Sequence, residues 1–166
     1  MNSLFLDEQH SKNFFHNHFF MNIIKEKRKI SLLLPIRRKG EALFVYLQKR
    51  SATAKTLPNY FGFWGGGAEK NESSEQTLLR EIQEELGFKL DLKETQFFNH
   101  YEFLRSVKDV YLFEPQDNWE QSLVIGEGDY GKWFSTQEAL MKTDIIFEDK
   151  VVINDLERIL LQKPII

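Results

Sequence analysis

The sequence predicts an α/β domain, and three observations carry that prediction. Ile30–Ile36 is almost continuously apolar, as a strand covered on both faces would be. The stretch Ser73–Gly87 carries a capping pattern, a helical apolar stripe and a terminal glycine. Further strand-like runs follow it before the chain returns to helical periodicity at its end. With 166 residues, the chain fits one domain with a short extension, assigned as residues 1–24 and 25–166.

Within residues 1–24, Phe14, Phe15, Phe19, Phe20, Ile23 and Ile24 recur at four- to five-residue spacings, which suits one face of a short helix. That arm is expected to dock on its own domain, with a homodimer contact as the alternative; His16 and His18, two apart, read as surface polar residues rather than ligands. After the first strand comes a turn, Arg37-Arg38-Lys39-Gly40, and a second strand over Ala42–Leu47. The segment Ser51–Lys70 reads as a loop ending in a glycine-rich run. In the next helix Ser73 is the N-cap, Gln76 completes a capping box, and Leu78, Leu79, Ile82 and Leu86 form the apolar stripe that Gly87 ends. Strands are expected at Phe97–Leu104, Val107–Phe113 and, briefly, Leu123–Ile125. Helices follow at Thr136–Met141 and Phe147–Gln162, the last burying Phe147, Val151, Leu156, Ile159 and Leu160.

Composition excludes several classes. A formal charge of −3 gives no broad attraction to polyanions, so stable nucleic-acid binding is not expected. With no cysteine there are no disulfides and no thiolate metal sites, which fits a reducing compartment. No segment approaches the roughly 20 apolar residues needed to span a bilayer. Asp7, Glu8 and Lys12 interrupt the N-terminus in a way a signal peptide does not, and a cytoplasmic location is the expectation.

The chemistry concentrates between Gly66 and Phe88. At about 100° per residue, Glu81, Glu84 and Glu85 share one flank of the helix, next to its apolar stripe. Carboxylates beside a buried edge are costly to leave unneutralised, and Mg²⁺ relieves that cost while keeping several of its waters. A solvated acidic face is the ordinary explanation for a Glu-rich helix. Against it stands Gly65-Gly66-Gly67, which lets backbone approach a phosphate or a metal where side chains would obstruct.

These residues resemble the signature of the Nudix family. That signature reads Gly, five residues, Glu, seven residues, Arg-Glu, an aliphatic residue, any residue, Glu-Glu, any residue, Gly and an apolar residue. Here it is Gly66, Glu72 and Arg80-Glu81-Ile82-Gln83-Glu84-Glu85-Leu86-Gly87-Phe88. Similarity extends from about residue 28 to 162, through Leu47–Arg50 and Tyr60–Trp64 before the motif and Glu127–Ser135 after it. Trp64 stands where many members have proline.

The resemblance implies a sandwich with a mixed, curved sheet between helices. It implies Glu81, Glu84 and Glu85 as ligands of Mg²⁺ (or Mn²⁺), with the carbonyl of Gly65 or Gly66 contributing. One of these acids, or Glu127, is then the general base, with Glu102 and Asp129 as stand-ins for Glu127. Glu72 and Arg80 are implied as an internal ion pair and Gly87 as a structural glycine. Arg50 is placed among the substrate contacts. Phe63 and Trp64, with Tyr60 and Phe61, either stack on a base or pack beneath the loop. The expected activity is hydrolysis of a diphosphate linkage in a nucleoside diphosphate bonded to another group, such as a nucleotide sugar. The alternatives are pyrophosphohydrolysis of modified nucleoside triphosphates and a non-catalytic nucleotide-binding module.

Overall fold

In the computed structural model, residues 26–161 are described; the expectations for residues 1–24 and for Gln162 lie outside them. Seven strands form one mixed sheet: β1 (Arg28–Lys39), β2 (Ala42–Lys49), β3 (Phe61–Gly62), β4 (Trp64–Gly67), β5 (Thr95–Glu102), β6 (Ser106–Phe113) and β7 (Tyr130–Ser135). Among the described residues three α-helices accompany it: α1 (Ser74–Leu86), α2 (Thr136–Met141) and α3 (Phe147–Leu161). No helix among the described residues is long and apolar enough to cross a membrane.

The long strand β1 changes partners along its length. Ile30–Leu33 pair antiparallel with β4, Ile36–Lys39 pair antiparallel with β2, and Arg28–Pro35 run parallel to β6 on the other edge. The strand β2 then pairs with β3 and β7, and β5 closes the sheet beside β6. The apolar run of β1 is explained by burial on both sides. Leu32, Leu34 and Ile36 face α2 and α3 with Val45, Val152, Ile153 and Leu156. Leu33 faces α1 with Tyr46, Trp64, Leu78, Ile82 and Leu86. Alternation thus fills two cores from one strand, and the sheet lies between helices as the sandwich requires.

Three expectations are corrected. Arg37–Lys39 continue β1 instead of turning, and the turn falls on Gly40-Glu41. Leu123–Ile125 is no strand; its backbone bonds to the end of α1, with Val124 N–H donating to Leu86 O at 3.0 Å. In α3 the buried set is Val152, Ile153 and Leu156, whereas Phe147 and Ile159 are exposed. The helix is rotated because Asp149 turns inward, accepting from Phe63 N–H at 3.0 Å and from Lys108 Nζ at 2.8 Å.

Helix α1 begins and ends where its sequence says. The Ser73 side chain accepts from Gln76 N–H, the Gln76 side chain accepts from Ser73 N–H, and Gly87 closes the helix at φ +58°. Ser73→Ala removes one acceptor from an otherwise orphan donor. It is expected to cost about 1 kcal/mol in urea unfolding, and Ser73→Asp is expected to cost less than half of that.

Candidate active site

Helix α1 presents its acids from the edge of a buried stripe, and each acid meets a different environment. Glu72 and Arg80 form a bidentate pair, Nε to Oε1 at 2.8 Å and Nη2 to Oε2 at 3.0 Å. Glu72 also accepts from Glu69 N–H and Thr77 Oγ1, and Arg80 Nη2 donates to the carbonyl of Gly67 at 3.0 Å. The guanidinium and these donors pull the Glu72 carboxyl down to about 2, and Arg80 is raised in turn. The pair ties the glycine strand β4 to the helix. Arg80 Nη1 reaches further, to Glu81 at 2.9 Å and Glu84 at 3.2 Å.

Glu85 is the most confined of the acids on α1, with 5% of its surface exposed. Its Oε2 accepts from Gly65 N–H at 2.6 Å. Burial pushes its carboxyl up to about 8; the Gly65 amide and Gln48 side chain oppose that, while Glu81 and Glu127 add to it. Glu81 is also raised, again by burial first, with Arg80 opposing and Glu84 and Glu127 reinforcing. Four carboxylates therefore share one electrostatic neighbourhood.

Two glycines make that neighbourhood possible by close approach. A Cβ on Gly66 would lie 2.6 Å from all three atoms of the Glu81 carboxylate. A Cβ on Gly126 would lie 2.0 Å from the Glu84 carbonyl, and Gly126 N–H donates to Glu85 O at 2.8 Å. The loop carrying Glu127 is thereby fastened to the last turn of α1. Gln48, buried on β2, donates to the Glu127 carbonyl at 3.4 Å.

A cavity of about 370 Å³ opens here, lined by Gln48, Arg50, Ser51, Thr53, Lys55, Glu85 and Glu127 among others. Glu85, Glu127 and Arg50 of the anticipated residues come together around it. Phe63 and Trp64 do not: they are 4% and 0% exposed, and Trp64 Nε1 donates to Tyr46 O within the core. Both rings pack beneath the loop, Phe63 in the core beside α2 and α3 and Trp64 in the core beside α1. Glu102 is ion-paired with Lys27 on the edge strand β5, and the Asp129 amide is bonded to Lys49 O. Sequence reasoning missed Gln48 and the 51–55 loop. A glutamine directly after the run Leu43–Leu47, in step with Tyr46, was the available signal for Gln48.

The donor set suits a hard divalent cation. Its groups are carboxylates, two of them held against ionisation by burial and mutual repulsion, and Gly66 places no side chain of its own against Glu81. Among the described residues no three acids or histidines form a finished cage.

A NUDIX domain model matches residues 26–156. An uncharacterised Nudix hydrolase of Listeria monocytogenes is 39% identical over 80 residues, covering 48% of this chain and 45% of that protein. One of Clostridium acetobutylicum is 30% identical over 92 residues, covering 55% and 38%. The matches thus span less than half the length of these curated relatives. Among solved structures, a MutT/nudix family protein from Enterococcus faecalis aligns with a TM-score of 0.65 at 16% identity, covering 96% of this chain and 75% of that one. The NUDIX domain of Shewanella oneidensis NrtR, complexed with ADP ribose, aligns at 0.61 and 17% identity, covering 89% and 97%. At such identities the structural likeness speaks for the fold alone, whereas the domain model spans most of the sequence. The chain belongs to the Nudix family.

Proposed function

We propose that the chain hydrolyses a diphosphate linkage in a nucleoside diphosphate bonded to a further group. The observation that carries this reading is the convergence of the buried Glu85 and the exposed Glu127 on one cavity, beside Glu81 and Glu84. Its volume falls within the usual range for small-molecule sites. Mg²⁺ (or Mn²⁺) would be held by Glu81, Glu84, Glu85 and the carbonyl of Gly66. Such an ion neutralises phosphoryl charge and acidifies water.

Water adds to phosphorus, one P–O bond of the anhydride breaks, and a carboxylate takes the water's proton. Glu127 is the base in this reading, because it lines the cavity yet is open enough to return its proton to solvent. Glu72 and Arg80 hold the glycine strand against the helix. The ADP-ribose complex of a similar fold favours a nucleoside diphosphate joined to a sugar. Self-association through residues 1–24 is a separate proposal, tested by sedimentation of the full chain against one beginning at residue 25.

The test is a coupled phosphate-release screen with Mg²⁺ over nucleotide sugars, ADP-ribose, dinucleoside polyphosphates, and ordinary and oxidised nucleoside triphosphates, with Glu85→Gln alongside. Turnover of diphosphate-linked compounds, lost in the variant, is the expected result. Turnover of triphosphates alone would move the assignment to pyrophosphohydrolysis of nucleoside triphosphates. Binding without turnover anywhere would make the chain a nucleotide-binding module.

A further inference from the structure

The cavity's other lining comes from the chain between β2 and β3, and there the two cations behave differently. Arg50 is committed: its Nε donates to Thr56 O at 3.1 Å and its Nη2 to Thr56 Oγ1 at 3.3 Å. Lys55 lines the same cavity as Glu85 and Glu127, yet among the described residues it makes no ion pair and no side-chain hydrogen bond. An exposed loop lysine is ordinarily a solvated charge with no fixed place. Here the residues on either side of it are fixed. Ala54 N–H donates to Ser51 O at 3.1 Å, Thr53 N–H donates to Ser51 Oγ at 3.1 Å, and Thr56 is gripped by Arg50. Asn59 N–H returns to the same Ser51 carbonyl, and Arg50 N–H donates to Tyr60 O at 2.9 Å. The loop is thus braced from inside, with Lys55 between two held neighbours.

We propose that Lys55 binds the diphosphate directly, and that Arg50 is a positioning residue that shapes the loop carrying it. This rests on the preceding reading of the cavity as the substrate site. The chemistry favours such a contact. A diphosphate must enter a cavity whose acids, Glu85 and Glu127, oppose it when ionised, and whose other cation, Arg50, is already engaged with Thr56. An ammonium held on a preorganised loop offsets part of that repulsion without a large ordering cost. Because the contact exists before and during reaction, its loss weakens binding more than it slows chemistry.

The experiment compares the full-length wild type with Lys55→Gln and Lys55→Arg. With the best substrate of the screen, Lys55→Gln is expected to raise KM about tenfold or more with kcat within about twofold, and Lys55→Arg to recover most of the loss. The KM of Lys55→Gln is also expected to depend less on salt. An unchanged KM overturns the proposal, as does a fall in kcat accompanied by a lowered Tm, which would mark a structural role. Calorimetry with ADP-ribose and with inorganic pyrophosphate, each with Mg²⁺, separates this proposal from the hydrolase reading. If nothing is turned over but Lys55→Gln weakens binding of these probes about tenfold, the hydrolase reading fails and the Lys55 contact stands. Equal binding to wild type and variant, or none to the wild type, overturns it.

Discussion

Glu85→Gln is expected to lower turnover by about 10³-fold or more while making the metal-free protein more stable than the wild type at alkaline pH. Both effects come from one carboxyl, 5% exposed, whose protonation is held up to about 8 by burial. In the unfolded chain the same group titrates near 4.5. Below 4.5 it is neutral in both states and costs nothing. Between 4.5 and about 8 the folded protein retains a proton that the unfolded chain has released, so stability falls as pH rises. Above that window the full cost, on the order of 5 kcal/mol, is present. Glutamine keeps the acceptor for Gly65 N–H but cannot ionise. Urea unfolding in the presence of a chelator is expected to show a small gap between variant and wild type at pH 5 and one of several kcal/mol at pH 9. Adding Mg²⁺ at pH 9 should restore the wild type and leave the variant unmoved. A gap indifferent to pH would mean that the carboxylate is ionised in the fold without penalty, and the electrostatic account of the site would go with it.

Gly65→Ala is expected to lower stability by about 3–5 kcal/mol. Gly65 has φ +117°, a conformation only glycine adopts without strain. An added Cβ would sit 2.2 Å from the carbonyl oxygen of Ser31 and 3.1 Å from the Leu32 Cα, both backbone atoms of the central strand that cannot step aside. The amide that anchors Glu85 belongs to the same residue, so strain here is transmitted to the acid. The neighbouring Gly66 makes the control. Its added methyl would meet the end of the Glu81 side chain, which can swing away. Gly66→Ala is therefore expected to melt within a few degrees of wild type and to lose activity, whereas Gly65→Ala loses both. Equal melting temperatures for the two variants would refute the distinction.

How much was legible in the sequence depended on whether the signal was local. Helix α1 could be placed to the residue, because its capping box and its left-handed glycine are contained in its own sequence. Three of its four acids, Glu81, Glu84 and Glu85, could be placed on one flank from spacing alone. The strand β1 was visible from its two-sided burial, although nothing within it announced the change of partner from β4 to β2. The strands β3 and β4 were not separable from a loop. They are short and glycine-rich, and pairing with β1 and β2 is what makes them strands. Helix α3 was assigned the wrong buried face because Asp149 reads as a surface acid. Only the fold supplies Lys108 and the Phe63 amide that bring it inside. Trp64 illustrates the same limit: an aromatic beside a glycine loop suits a ligand or a core equally well until its alternation is known. Gln48 and Lys55 gain meaning only once β2 and the following loop are folded around the cavity.

The attachment of the Glu127 loop to the end of α1 bears on how the protein breathes. Carbonyls in the last turn of a helix usually find water or the chain immediately following. Here those of Glu85 and Leu86 are taken by Gly126 and Val124, which arrive from beyond two further strands. Fraying of that helical turn and departure of the loop are therefore one opening event with one free energy. In hydrogen exchange, the amides of Val124 and Gly126 would follow the helix end and not the exposed loop around them. Thermal motion then presents the acids either assembled or apart as a group, and a partly built cluster with Glu85 in place and Glu127 astray is kept rare.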